Sequence, residues 1–188
     1  MCVIVDTNTF GPVFDSTNEK HAEFKPVLDW VLHGKGKFVI GGSKYIGELK
    51  IARKYLKIFS ILRLYKNKIV RLDDTTVDKV QKRIEVMESD PDFDDPHLPA
   101  MVIVSKCQVI CSDDSRSIKF VTNPNFYPDN VKIPRYYTGC RNSDLLSDKY
   151  IDNRYKPLEK IPQNKADYLE TKIASCLTKQ SKNNVSIR

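Results

Sequence analysis

The chain has 188 residues, 40% of them apolar, and a formal net charge of +7 at pH 7. That length allows one ordinary domain with a real core, and no stretch approaches the ~18 consecutive apolar residues of a membrane span. Five cysteines at irregular spacing, Cys2, Cys107, Cys111, Cys140 and Cys176, argue against a disulfide framework and predict a reduced, cytoplasmic protein.

The run "CVIV" (residues 2–5) reads as a buried parallel strand: short, β-branched and without alternation. Asp6 follows it directly, and no basic flank leads into an apolar leader, so no signal peptide is expected. "NEKHAEFKPVLDWVLHG" carries Ala22, Val27, Trp30 and Val31 on a helical face, with the helix starting near Pro26 and stopping at Gly34. "KFVIGG" is a second strand. "SKYIGELKIARKYLKIFSILRLYKNK" is a long helix with Ser43 as its cap, and "IVRL" is a third strand. Asp73 to Thr76 cap a helix bearing Val77, Val80, Ile84 and Met87.

"HLPAMVIVSKC" is a short apolar helix with Pro99 in its first turn, and "QVICSDD" is a fourth strand ending in acid. "IKFVT" reads as either a turn of helix or a strand, and "VKI" (131–133) as an edge strand. Residues 1–140 form the predicted domain. Residues 141–188 form a basic extension with one amphipathic helix on Ala166, Leu169, Ile173 and Leu177. Alternating strands and helices predict a parallel sheet covered on both faces. Such sheets bind ligands beyond the carboxyl ends of their strands, where strand order reverses.

Acids recur at that edge. Asp6 ends the first strand, and Glu48 lies one turn into the helix after the second. Asp95 opens the helix before the fourth strand, with Asp94 as its alternative. Asp113 or Asp114 ends that strand. Crowded carboxylates repel one another and share space only with cations. Hard divalent ions such as Mg²⁺ or Mn²⁺ take oxygen ligands of this kind.

Three fragments, "VIVDTN", "YIGELKIA" and "DDPHLPAMVIVSKCQVICSDD", occur in an order that resembles the PIN-domain nucleases over roughly residues 1 to 120. The resemblance implies a three-layer α/β/α sandwich around a parallel sheet of four or five strands. It implies metal-dependent hydrolysis of phosphodiesters in single-stranded RNA. It casts Asp6, Asp95 and Asp113 (or Asp114) as metal ligands, Glu48 as a ligand or water-orienting acid, and Asn8 as support. Cys111 stands where the family usually has Ser or Thr two residues before the acid, a place Ser112 takes if Asp114 is the ligand. A toxin restrained by an antitoxin and a defence nuclease are both compatible with the pattern, as are a further protein partner or a homo-oligomer.

The bases suggest where phosphates lie. Arg116 is nearest the acids, and Lys50, Arg53, Lys54 and Lys57, then Lys66, Lys68 and Arg71, follow Glu48. His97 reads as a surface or capping residue. Two other readings compete: the same fold as a non-catalytic RNA-binding or scaffold module, and a phosphatase or receiver-type domain built on Asp73.

Overall fold

The computed structural model of the chain describes residues 2–65, 68–147, 153–155 and 159–183. The first apolar run forms β1 (Cys2–Val5), buried at every position. A 3-10 turn over Thr7–Thr9 leads to α1 (Phe10–Phe14) and α2 (His21–Leu32). Next come β2 (Lys37–Ile40), α3 (Ser43–Ile51), α4 (Arg53–Arg63), β3 (Ile69–Arg71) and α5 (Asp74–Met87). The chain continues through α6 (His97–Ser105), β4 (Val109–Cys111), α7 (Ser117–Val121), β5 (Arg135–Tyr137) and α8 (Gln163–Asn183).

The five strands form one parallel sheet in the order β3-β2-β1-β4-β5, flanked by helices as a three-layer α/β/α sandwich. From β1 the chain builds outward through β2 to β3, then returns to place β4 on the other side of β1. The order therefore reverses between β1 and β4, the place where sheets of this kind open a crevice at their carboxyl ends. Ile4 lies opposite Ile110 and Val5 opposite Cys111, and the Asp6 N–H donates to the Cys111 carbonyl at 2.9 Å. The residues after both strands thus leave the sheet side by side.

Four local differences from the sequence expectations have physical causes. The long helix after β2 breaks at Ala52, whose ψ of 58° ends α3. Tyr45 and Leu49 are buried before the break, and Tyr55, Ile58, Phe59 and Leu62 after it. The six-residue step from Leu49 to Tyr55 puts the two apolar faces out of phase. The break turns Tyr55 and Phe59 into a ring cluster with Phe10, 5.3 and 5.4 Å away. Secondly, α2 begins at His21 rather than near Pro26, and the Ala22 carbonyl, which Pro26 cannot engage, receives the Cys140 thiol at 3.5 Å.

Thirdly, the edge strand is Arg135–Tyr137 rather than residues 131–133, because the side chains of Tyr136 and Tyr137 are buried while Ile133 is exposed. Fourthly, Ser43 is the first helical residue rather than the cap of α3. The Gly42 N–H donates to Asp74 and the Ser43 N–H to Asp78, both at 2.7 Å, so α5 caps α3 from outside. Gly42 has φ of +85°, and a side chain there would meet Val77 Cγ1 at 2.6 Å. This close seat fixes where α3 starts, and hence where Glu48 lies. "IKFVT" resolves as the helix α7.

No helix among the described residues is long and apolar enough to cross a membrane. The C-terminal helix α8 packs on α4 and α2, and its Ala166, Leu169, Ile173 and Leu177 are buried. Leu169→Ala is therefore expected to destabilise the whole protein by about 2–4 kcal/mol, the usual range for a buried leucine. Urea unfolding followed by circular dichroism checks this. A loss below about 0.5 kcal/mol, typical of an exposed site, would contradict the packing of α8.

Candidate functional site

Asp6 leaves β1 at its carboxyl end and is 1% exposed. Its Oδ2 accepts the Ser112 hydroxyl at 2.8 Å, and its Oδ1 accepts the Asn8 main-chain N–H at 3.2 Å. Ser112 follows β4, so the strand reversal itself supplies this partner. The Ser112 oxygen in turn accepts the Asp114 N–H at 3.0 Å. Burial pushes the Asp6 carboxyl above its ordinary value. These two hydrogen bonds oppose that rise, and the charges of Glu48 and Asp114 add to it.

Glu48 reaches the same crevice from α3, and its Oε2 accepts the Thr7 hydroxyl at 2.8 Å. Tyr45, one turn earlier, is wholly buried and donates its hydroxyl to the Val5 carbonyl at 2.8 Å. This bond pins α3 to the end of β1.

Asp95 arrives on the loop before α6. Phe93 anchors that loop, stacking on Phe120 and Phe126 with ring centres 5.2 and 5.7 Å away. The Asp95 main-chain carbonyl accepts the Leu98 N–H at 3.0 Å. Its carboxyl is pushed up to about 7, first by burial and then by the charges of Asp6, Asp94 and Glu48, against the pull of Lys44. Asp94 is exposed, and its main-chain carbonyl holds the Lys44 ammonium.

The two acids after β4 diverge. Asp113 pairs with Lys20 at 2.5 Å and faces a cavity of about 510 Å³ shared with Phe24, Cys140 and Arg141. Asp114 faces the other way, into a cavity of about 370 Å³ with Asp94, Arg116 and Lys119. Its carboxylate is held below the ordinary range by Arg116, which meets it with Nε at 3.1 Å and Nη2 at 3.0 Å. Of the two sequence alternatives, Asp114 is the acid whose charge reaches Asp6. A third cavity of about 410 Å³, lined by Thr7, Asn8, Lys44, Glu48, Ile51 and Asp95, opens on the other side of Asp94.

The remaining expected residues divide. Asn8 lines the cavity but meets Asp6 through its main chain. Arg53 is exposed at the start of α4, next to Ala52 of that cavity. Lys54 is engaged elsewhere, with Asp15 at 3.3 Å. Lys68 is buried before β3, at the opposite edge of the sheet, donating to the Gly34 carbonyl at 2.9 Å, and Arg71 pairs with Asp74. Lys66 lies outside the described residues.

His97 overturns its expected surface placement. It is 0% exposed, and neither ring nitrogen has a hydrogen-bond partner. Nε2 lies 3.8 Å from Glu48 Oε2 and Nδ1 3.9 Å from Asp95 Oδ1. Burial, aided by Lys44, pushes the imidazole down to about 3, so it is neutral. Sequence reasoning also missed Thr7 and Lys44. Thr7 carried a signal, being the residue between Asp6 and Asn8, but Lys44 did not.

The donor set at this edge is oxygen-rich, partly desolvated and self-repelling, and a buried polar side chain without a partner abuts it. Oxygen ligands of this kind are those a hard divalent cation takes, and Asp6, Glu48, Asp95 and Asp114 are the residues that could hold one, although no three of them bring donor atoms within 4.8 Å of one another. No family model, no curated protein and no solved structure matches the chain.

The burial of Asp95 beside other acids has a measurable consequence. Folded, Asp95 keeps its proton to about pH 7, whereas the ordinary value is 3.8. Its contribution to stability is therefore complete below the unfolded value and is lost as pH rises through the folded one. Asp95→Asn should stabilise the metal-free protein at neutral pH by on the order of 1–3 kcal/mol and flatten its decline above about pH 4. Thermal melts in EDTA over this pH range check it, and identical pH slopes for the two proteins would contradict it.

Proposed function

We propose that this chain is a PIN-type, divalent-metal-dependent endoribonuclease that hydrolyses phosphodiester bonds of single-stranded RNA. The observation that carries the reading is the meeting of Asp6, Glu48, Asp95 and Asp114, drawn from distant parts of the chain, at the switch point between β1 and β4. When bound there, Mg²⁺ or Mn²⁺ supplies Lewis-acid activation of water and stabilisation of a departing oxygen. The protein's own groups hold and orient. Ser112 and the Asn8 N–H fix Asp6, Thr7 fixes Glu48, and Lys44 and Arg116 offset negative charge on either side.

The substrate class follows from charge and openness. The net charge of +7 attracts a polyanion. Arg116 and Lys119 line one cavity beside the acids and Lys44 lines the other, so cations flank the crevice where a phosphate backbone would cross it. Cys2, Cys107 and Cys111 are buried free thiols, which suits action in the reducing cytoplasm.

One observation favours a second reading, an RNA-binding or scaffold module of the same fold without catalysis. Among the described residues, the one group of three candidate donors within 4.8 Å of one another is Asp29, His33 and Glu170, on α2 and α8. The edge acids stand further apart.

Cleavage assays separate the two. Asp6→Asn is expected to abolish Mg²⁺- or Mn²⁺-dependent cleavage of unstructured RNA while leaving the circular dichroism spectrum unchanged. Ser112→Ala, which removes the hydroxyl that supports Asp6 and accepts the Asp114 N–H, is expected to lower the rate by about 10–100-fold. Undiminished cleavage in the Asp6 variant would reject the assignment. RNA binding by the wild-type protein with no cleavage in either metal would favour the scaffold.

A further inference from the structure

Buried side-chain polar atoms without a partner occur, among the described residues, in Gln81, His97 and Ser147, and His97 has two. A buried polar group left unpaired costs stability, and an apolar side chain of similar volume would avoid that cost. An imidazole kept in such a place needs a reason.

The geometry points to a positioning role: we infer that His97 sets Glu48 and Asp95 in the arrangement that accepts a divalent cation. This rests on the metal-centre reading proposed above and deepens it. The two ring nitrogens face carboxylates from two different elements, Glu48 on α3 at 3.8 Å and Asp95 on the loop before α6 at 3.9 Å. Both distances exceed a hydrogen bond by somewhat under ~1 Å. The ring lies against Tyr45, centre to centre 6.2 Å, and Tyr45 is itself bonded to the end of β1.

A neutral imidazole has one N–H and one lone pair. With the proton on Nε2, the ring offers Glu48 a donor and turns a lone pair toward Asp95. A small movement of Glu48 completes its hydrogen bond. Once a cation takes the place of the Asp95 proton, the ionised carboxylate meets that lone pair with no donor between them and is favoured with its oxygens in the crevice. Both effects orient the carboxylates for a shared cation, without His97 binding it.

The test measures metal affinity and metal-free stability together, by Mn²⁺ titration calorimetry and by thermal melts in EDTA. His97→Leu removes the unpaired nitrogens at similar volume. It is expected to leave the metal-free melting temperature unchanged or raise it by several degrees, and to weaken Mn²⁺ binding at least tenfold. His97→Gln, which keeps one donor and one acceptor, is expected to recover most of that affinity.

Mn²⁺ affinity of His97→Leu within twofold of wild type would overturn the inference. A lower metal-free melting temperature in both variants, in step with their loss of affinity, would also overturn it and assign His97 to packing. The parent reading fails separately: wild-type protein that binds no Mn²⁺, or an Asp6→Asn variant that binds it equally well, removes the metal centre itself.

Discussion

The buried carboxylate of Asp6 is the constraint on which this crevice depends. A carboxylate taken out of water is costly unless hydrogen bonds replace the lost hydration. Here the replacements are the Ser112 hydroxyl and the Asn8 N–H, and they come from the ends of the two central strands. The first exists only because β4 lies beside β1, a neighbour more than a hundred residues away in the chain, while the second is a local turn bond. The strand order and the acid are therefore coupled: the reversal of direction in the sheet creates the place where Asp6 can be buried.

The other acids are brought to Asp6 by packing rather than by attraction. Glu48 is placed by the glycine turn after β2 and by Tyr45, and Asp95 by the ring stack of Phe93. Like charges held together by unrelated contacts make the metal-free crevice a stressed region of a stable sandwich. Burial first, and like charge after it, raises Asp6 and Asp95, and the unpaired ring of His97 adds to that stress. A bound cation would relieve it, turning a cost of folding into affinity.

Much of this was legible in the sequence because it rests on local signals. Four of the five strands are short apolar runs, and the Asp73 cap of α5 is a local hydrogen bond to the Thr76 N–H. Asp6 could be found because it closes a recognisable strand, Asp95 because it precedes a recognisable helix, and Glu48 because it lies one turn into another. What escaped was set by tertiary geometry. The break at Ala52 follows from the needs of an aromatic cluster that includes Phe10, Phe14 and Phe38, far from it in sequence. Adjacent Asp113 and Asp114 face different cavities because the chain turns after Cys111, and their order alone carries no sign of it. His97 was misread because a histidine beside proline looks peripheral until α6 is packed over β1 and β2.

The most direct measurement is the anomalous density of a crystal soaked in Mn²⁺. The account predicts a peak in the crevice beyond β1 and β4, among Asp6, Glu48, Asp95 and Asp114. A saturated crystal with no peak there, or with manganese only at Asp29, His33 and Glu170, would contradict it.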